Sequence, residues 1–102
     1  MIHVVAIITA KPGQREKIMQ AARANIPAVL AEDGCVEYTL VTDADEFGGA
    51  AKLGADTFAF IEKWRDAAAL KAHSQAPHMN SYREKVQDLI ASRAVHVLSP
   101  AA

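Results

Sequence analysis

The sequence has a single cysteine, Cys35, among 102 residues. An internal disulfide is therefore excluded, and a thiol that follows Gly34 at the start of a strand fits a buried structural group in a reducing compartment. Charge of one sign is scarce as well. Eleven Lys and Arg stand against twelve Asp and Glu, a net charge of −1, and neither sign forms a run. Nothing in that balance makes a surface for tracking phosphates, so nucleic acid is not an expected partner. The most apolar stretch, MIHVVAIITA, has no basic residues ahead of it and runs straight into Lys11-Pro12-Gly13. It reads as a first strand rather than a signal peptide or membrane span, which leaves the cytoplasm as the expected location and a membrane as no partner.

What is present is enough for a small core. Hydrophobic residues make up 51% of the chain, and the length suits a single domain over residues 1–102. Ile2 to Thr9 is rich in β-branched residues and ends at a Pro-Gly turn signal, as a strand does. From Gly13 to about Ala31, Ile18, Ala22, Ile26, Val29 and Leu30 follow helical spacing, with Pro27 expected to kink the helix or end it early. Gly34 suits the left-handed position that closes it. Cys35 to Thr42 and Thr57 to Arg65 read as two further strands, separated by a long, glycine-containing insert, Asp43 to Asp56. Asp66 is a good N-cap for a helix over Ala67 to His73, and Pro77 suits the first turn of another running to about Ala91. Ala94 to Leu98 completes the order β-α-β-β-α-β. That order predicts an α+β, ferredoxin-like domain, a four-stranded antiparallel sheet with its helices on one face.

In such a two-layer domain the uncovered sheet face is expected to be polar. Here it is not. On the first strand Ile2, Val4, Ala6 and Ile8 point one way while Val5 and Ile7 point the other. On the third, Phe58, Phe60 and Trp64 oppose Ala59 and Ile61, and Val41 of the second strand joins that opposed set with Cys35 and Thr39. The economical cover for a second apolar face is another copy of the chain, sheet against sheet, in a homodimer.

Alternation also puts Glu62 on the face of Phe58, Phe60 and Trp64, where an unpaired charge is costly. Tyr38 shares a face with Val36 and Leu40, and His73 lies one helical turn after Leu70, which points it inward as well. Glu62, His73 and Tyr38 thus form a polar cluster inside a wall of Phe60, Trp64, Met79 and Tyr82, the composition of a small-molecule pocket. The plainer alternative has Glu62 bonded to Arg65, Lys63 or a backbone amide, and His73 a capping or core histidine. Metal is not expected. His73 and His78 are five residues apart with Pro77 between them, and His3 and His96 have no further ligand in view.

Three stretches then carry a resemblance: GCVEYTL at 34–40, FAFIEKWRDAAALKAHSQAPHM at 58–79 and AVHVLSP at 94–100. Together they resemble the antibiotic biosynthesis monooxygenase domain family, closest to its small bacterial quinol-monooxygenase-like members. The resemblance spans nearly all of the chain outside the Asp43 to Asp56 insert. It implies a dimeric α/β barrel of ferredoxin-like protomers, each with a pocket between sheet and helices. The implied chemistry is oxidation of a small aromatic quinol or phenol by O2 without flavin, haem or metal. It further implies His73 as the base, since an imidazole with an ordinary pKa of ~6.5 suits proton transfer at neutral pH. Glu62 would orient that imidazole and Tyr38 would bond a substrate oxygen. Trp64 and Phe60 would form a flat wall, with Met79, Tyr82 and His78 beside them. The haem-degrading branch is a poorer match, because the last helix carries Arg83 near the expected axial ligand and the first strand has no asparagine. Two other readings remain: an isomerase of the same fold, and a non-catalytic dimeric binding or stress module for quinone-like aromatics.

Overall fold

The computed structural model describes residues 1–102. Its elements are β1 (Ile2–Ala10), α1 (Arg15–Leu30), β2 (Cys35–Val41), β3 (Thr57–Trp64), α2 (Ala67–Ser74), α3 (Pro77–Val86), a 3-10 turn (Gln87–Leu89) and β4 (Ile90–Leu98). The strands form one antiparallel sheet in the order β2-β3-β1-β4, which is the ferredoxin-like topology. All three helices lie on one face. Val4, Ala6, Ile8, Phe58, Phe60 and Trp64 of that face meet Ile18, Met19, Ala22 and Val29 of α1, together with Ala69, Met79 and Val86 of α2 and α3, in one buried core. No helix is long and apolar enough to cross a membrane.

Local chemistry explains most element ends. Asp66 caps α2 by accepting from the Ala69 N–H at 2.9 Å, and Pro77 opens α3 at a position where its missing N–H costs nothing. Pro27 does not end α1. It sits in the last turn, where it forfeits a single backbone bond, and the Ala31 N–H still reaches its carbonyl at 3.2 Å. Leu30, expected in the core, is on the solvent side. At Gly34, φ is +85°, and an added Cβ would lie 2.6 Å from the Ala69 Cβ. The absent side chain lets the α1–β2 turn press against α2, which matters below.

Two expectations need correction. β2 carries a bulge between Cys35 and Glu37, with Cys35 paired to Trp64 and Tyr38 to Glu62. The extra residue turns Val36 into solvent and Cys35 onto the helix side, where it is half-buried rather than facing away with Thr39. Second, α3 stops at Val86 instead of running to Ala91, and β4 begins four residues early, at Ile90. There Ile90 pairs with Ala10 and the Lys11 N–H bonds the Leu89 carbonyl at 2.8 Å. The end of β1 captures residues that helical spacing had claimed. The 43–56 insert is closed by Asp43, whose carboxylate accepts from the Leu53 and Gly54 N–H groups at 2.8 and 3.0 Å. Those two bonds hold its carboxyl below the usual range. No residue of the insert lines the cavity described next.

The helices do not reach β4. Its helix-side residues Val95 and Val97 are exposed, and the layer gapes at that edge.

Candidate active site

Cross-strand pairing sets Tyr38 beside Glu62 and Glu62 beside Val4 in one row, with Leu40, Phe60 and Ala6 in the next. α2 lays His73 over this patch. The His73 ring lies 5.6 Å from Tyr38 and 4.5 Å from Trp64, centroid to centroid, and Tyr38 stacks on Phe60 at 4.9 Å. Between this patch, β1, the start of β4 and α3 lies a cavity of about 300 Å³. Phe60, Leu70, Met79, Tyr82, Val86 and Val95 make most of its apolar wall, and Tyr38, Glu62, His73, Arg83 and Arg93 are the polar groups that matter on it.

Of the eight residues singled out from sequence, six line this cavity: His73, Glu62, Tyr38, Phe60, Met79 and Tyr82. Trp64 and His78 do not. Trp64 is fully buried behind the wall and donates its Nε1–H to Glu62 Oε1 at 2.9 Å, so it supports the site from behind instead of facing a ligand. His78 points to Glu32, its Nε2 lying 2.8 Å from Oε2. The same Glu32 oxygen is 2.8 Å from His73 Nδ1. The carboxylate that orients His73 is therefore Glu32, and Glu62 makes no hydrogen bond to the imidazole. Glu32 escaped notice because it lies in EDG at a helix end, a stretch whose composition announces a turn and nothing more.

Three atoms are left for a ligand. His73 Nε2, Glu62 Oε2 and the Tyr38 hydroxyl have no protein partner, and no fully buried polar side-chain atom in the chain lacks one, so all three open onto free space. Arg83 is already engaged, donating to Asn80 Oδ1 at 2.9 Å and to the Ser74 carbonyl at 2.8 Å, and it holds α3 to the end of α2.

The family model for antibiotic biosynthesis monooxygenases matches residues 1–85. The chain belongs to the antibiotic biosynthesis monooxygenase family. It is 32% identical to "Probable quinol monooxygenase YgiN" of Escherichia coli (strain K12), over 98% of each chain. Among solved structures it is similar to PA3566 from Pseudomonas aeruginosa, with a TM-score of 0.83 and 30% identity over 99% of this chain and 94% of that one. Rv0793 from Mycobacterium tuberculosis gives a TM-score of 0.82 and 30% identity over 99% and 95%.

In this monooxygenase-family chain, burial sets the protonation of the site. Burial, with the nearby Glu62 charge, pushes the Tyr38 phenol far above its ordinary value, and burial pushes Tyr82 up to about 12. Both hydroxyls are donors at neutral pH, not bases. The Cys35 thiol is also raised, by burial and then by Glu32 and Glu62, and remains unreactive.

Burial raises Glu62 too, against the opposing pull of the Trp64 N–H and of His73. The folded carboxyl then holds its proton more tightly than the unfolded one, which titrates near ~4.3. Stability contributed by this group is present below that value and is lost as pH climbs toward the raised one. Glu62→Gln keeps an oxygen for Trp64 and has no charge to bury. It is expected to melt higher than the parent at pH 7, by about 4–8 °C for each kcal/mol relieved, and level with it near pH 3. Melting curves across that range check this, and a difference independent of pH would contradict it.

Proposed function

We propose that the chain is a cofactor-independent monooxygenase that oxidises a small quinol or phenol with O2, with His73 as the base. The observation that supports it is the His73 imidazole, tied through Nδ1 to Glu32 and leaving Nε2 open at an aromatic-walled cavity. A volume of about 300 Å³ suits one or two fused rings.

Chemically, the substrate is its own reductant. His73 Nε2 takes the proton of a ring hydroxyl, and the resulting anion is electron-rich enough to pass one electron to O2. The substrate radical and superoxide then join in a C–O bond. Cleavage of the O–O bond leaves one oxygen on the ring and releases the other as water, with the proton returned by His73. For a quinol the balance is quinol plus O2 to hydroxyquinone plus water, and all four electrons come from the ring. In this reading the Tyr38 hydroxyl donates to a substrate oxygen, and Glu62 Oε2 holds a second hydroxyl. The stacked Tyr38 and Phe60 rings fix the plane, and Met79 and Tyr82 exclude water. Desolvation strengthens each of these contacts.

Oxygen uptake tests this with a panel of quinols, in buffer freed of metal and flavin. Protein-dependent uptake with a hydroxyquinone product supports the reading. Tight binding without uptake replaces it with a binding module, and product formed under strict anaerobiosis replaces it with an isomerase.

A homodimer belongs to the same reading. Across the sheet face away from the helices, Val5 pairs with Ile61, and Ile7 with Ala59 and Ala94, while Val41 flanks Ala59 from β2. This apolar stripe is only half covered within one chain, and a second copy is its natural cover. Ile7→Asp is expected to convert a sedimenting dimer to monomer. A parent chain that sediments as a monomer at micromolar concentration removes the dimer. The cytoplasm fits a single unpaired thiol.

A further inference from the structure

Glu32 Oε2 accepts from two imidazoles, and that sharing has consequences for the cavity. A carboxylate oxygen only accepts, so each ring nitrogen that faces it carries a proton. His73 is thereby held as the Nδ1–H tautomer, the reverse of what an unrestrained histidine favours, which leaves the Nε2 lone pair without a protein partner on a ring that lines the cavity. Glu32 itself is largely buried, at 12% side-chain exposure, and His73 at 8%, while His78 is 28% exposed. The inner imidazole therefore competes for one charge with an outer one that water can reach.

We propose that Glu32 is the positioning residue of this site and that His78 is its tuner. Glu32 fixes the tautomer of His73 and supports its charged form, and His78, on the same oxygen, withdraws part of that support when it is itself protonated. The first half of this stands on geometry alone. The effect on turnover rests on His73 being the base, as in the reading above.

Placement explains how the arrangement forms. Glu32 comes from the α1–β2 turn, which reaches α2 only because Gly34 has no side chain to collide with Ala69. His73 comes from α2 and His78 from the first turn of α3, past the Pro77 that had hidden their relation in sequence. The other charged or titratable groups near the pair are Glu62 on β3, Tyr38 and Cys35 on β2, Arg83 of α3, which is bonded to the Ser74 carbonyl beside His73, and Asp33 and Arg65, which pair with each other in the groove beside Glu32. Tyr38 and Cys35 stay neutral, and Arg83 is permanently charged. Glu62 and His78 are the remaining ionisable neighbours, and the two imidazoles share one carboxylate oxygen.

Ring-nitrogen NMR of protein labelled with 15N-histidine tests this without any substrate. In the parent chain at high pH, His73 is expected to show a protonated Nδ1 and a bare Nε2. Glu32→Ala should lose that preference. Glu32→Gln, which keeps an accepting oxygen without the charge, should retain the tautomer while the His73 titration moves to lower pH. His78→Gln, whose amide can still donate to Glu32, should move it to higher pH. With a quinol substrate, Glu32→Gln should lower kcat by on the order of 10²-fold with little change in KM, and Glu32→Asp should restore part of it. A proton on Nε2 of the neutral ring in the parent at high pH overturns the proposal, and so does a His73 titration unmoved by Glu32→Gln. An unmoved titration in His78→Gln overturns the tuning role. Because the tautomer is read in the resting protein, a chain that oxidises no quinol still decides this question, and a quinol oxidase with the wrong tautomer still refutes it.

Discussion

His73→Ala is expected to cut quinol-dependent O2 uptake by about 10²–10⁴-fold, the range by which a positioned acid–base group accelerates proton transfer. The loss should fall on kcat more than on KM, because the aromatic wall that binds the ring is untouched. Folding should survive. The deleted ring leaves a void beside Trp64 and Tyr38, but Glu32 keeps His78 as a partner, so no buried charge is stranded. His73→Gln makes a sharper comparison, since an amide nitrogen can still donate to Glu32 yet takes no proton. Oxygen-electrode rates for the two variants should be equally low. Parent-like turnover in either would remove His73 as the base while leaving the cavity and the fold as they are.

The second large effect is on stability. Trp64→Ala should destabilise the chain by about 3–5 kcal/mol, as large aromatic truncations in cores do. Trp64 is fully buried, packs its ring against His73 and gives Glu62 its only hydrogen bond. Against a total of roughly 5–15 kcal/mol for a domain, that loss threatens the native state at ordinary temperatures. Trp64→Phe separates the two contributions. It keeps most of the volume and removes only the N–H, leaving Glu62 Oε1 buried and unpartnered at a cost of about 1–3 kcal/mol. Denaturant titration of both variants provides the check. A Trp64→Ala midpoint close to the parent's would mean that the indole does not support the core and Glu62.

Periodicity carried much of the architecture. Alternation along Ile2 to Ile8 and Thr57 to Trp64, a Pro-Gly turn, an Asp cap and a Pro at a helix start are local signals, and they placed the strands and helices in order. Alternation also put Glu62 and Tyr38 on the helix side, and helical spacing did the same for His73. Ends and faces were less legible where distant pairing overrode local preference. Ile90 repeats like a helical residue, yet it joins β4 because Ala10 offers a strand partner. One extra residue in β2 reversed Cys35 and Val36, and no pattern of residue types announces a bulge.

What the sequence determined by itself was which residues are apolar and with what period, and hence the topology, the two apolar sheet faces and the polar members of the site. Only the tertiary structure decided the partnerships: that Trp64 holds Glu62 from behind, that His78 turns from the cavity, and that Glu32 holds His73. Period is a property of neighbours along the chain. A hydrogen bond between residues 41 positions apart depends instead on where a turn, a helix and a glycine without a side chain come to rest in space.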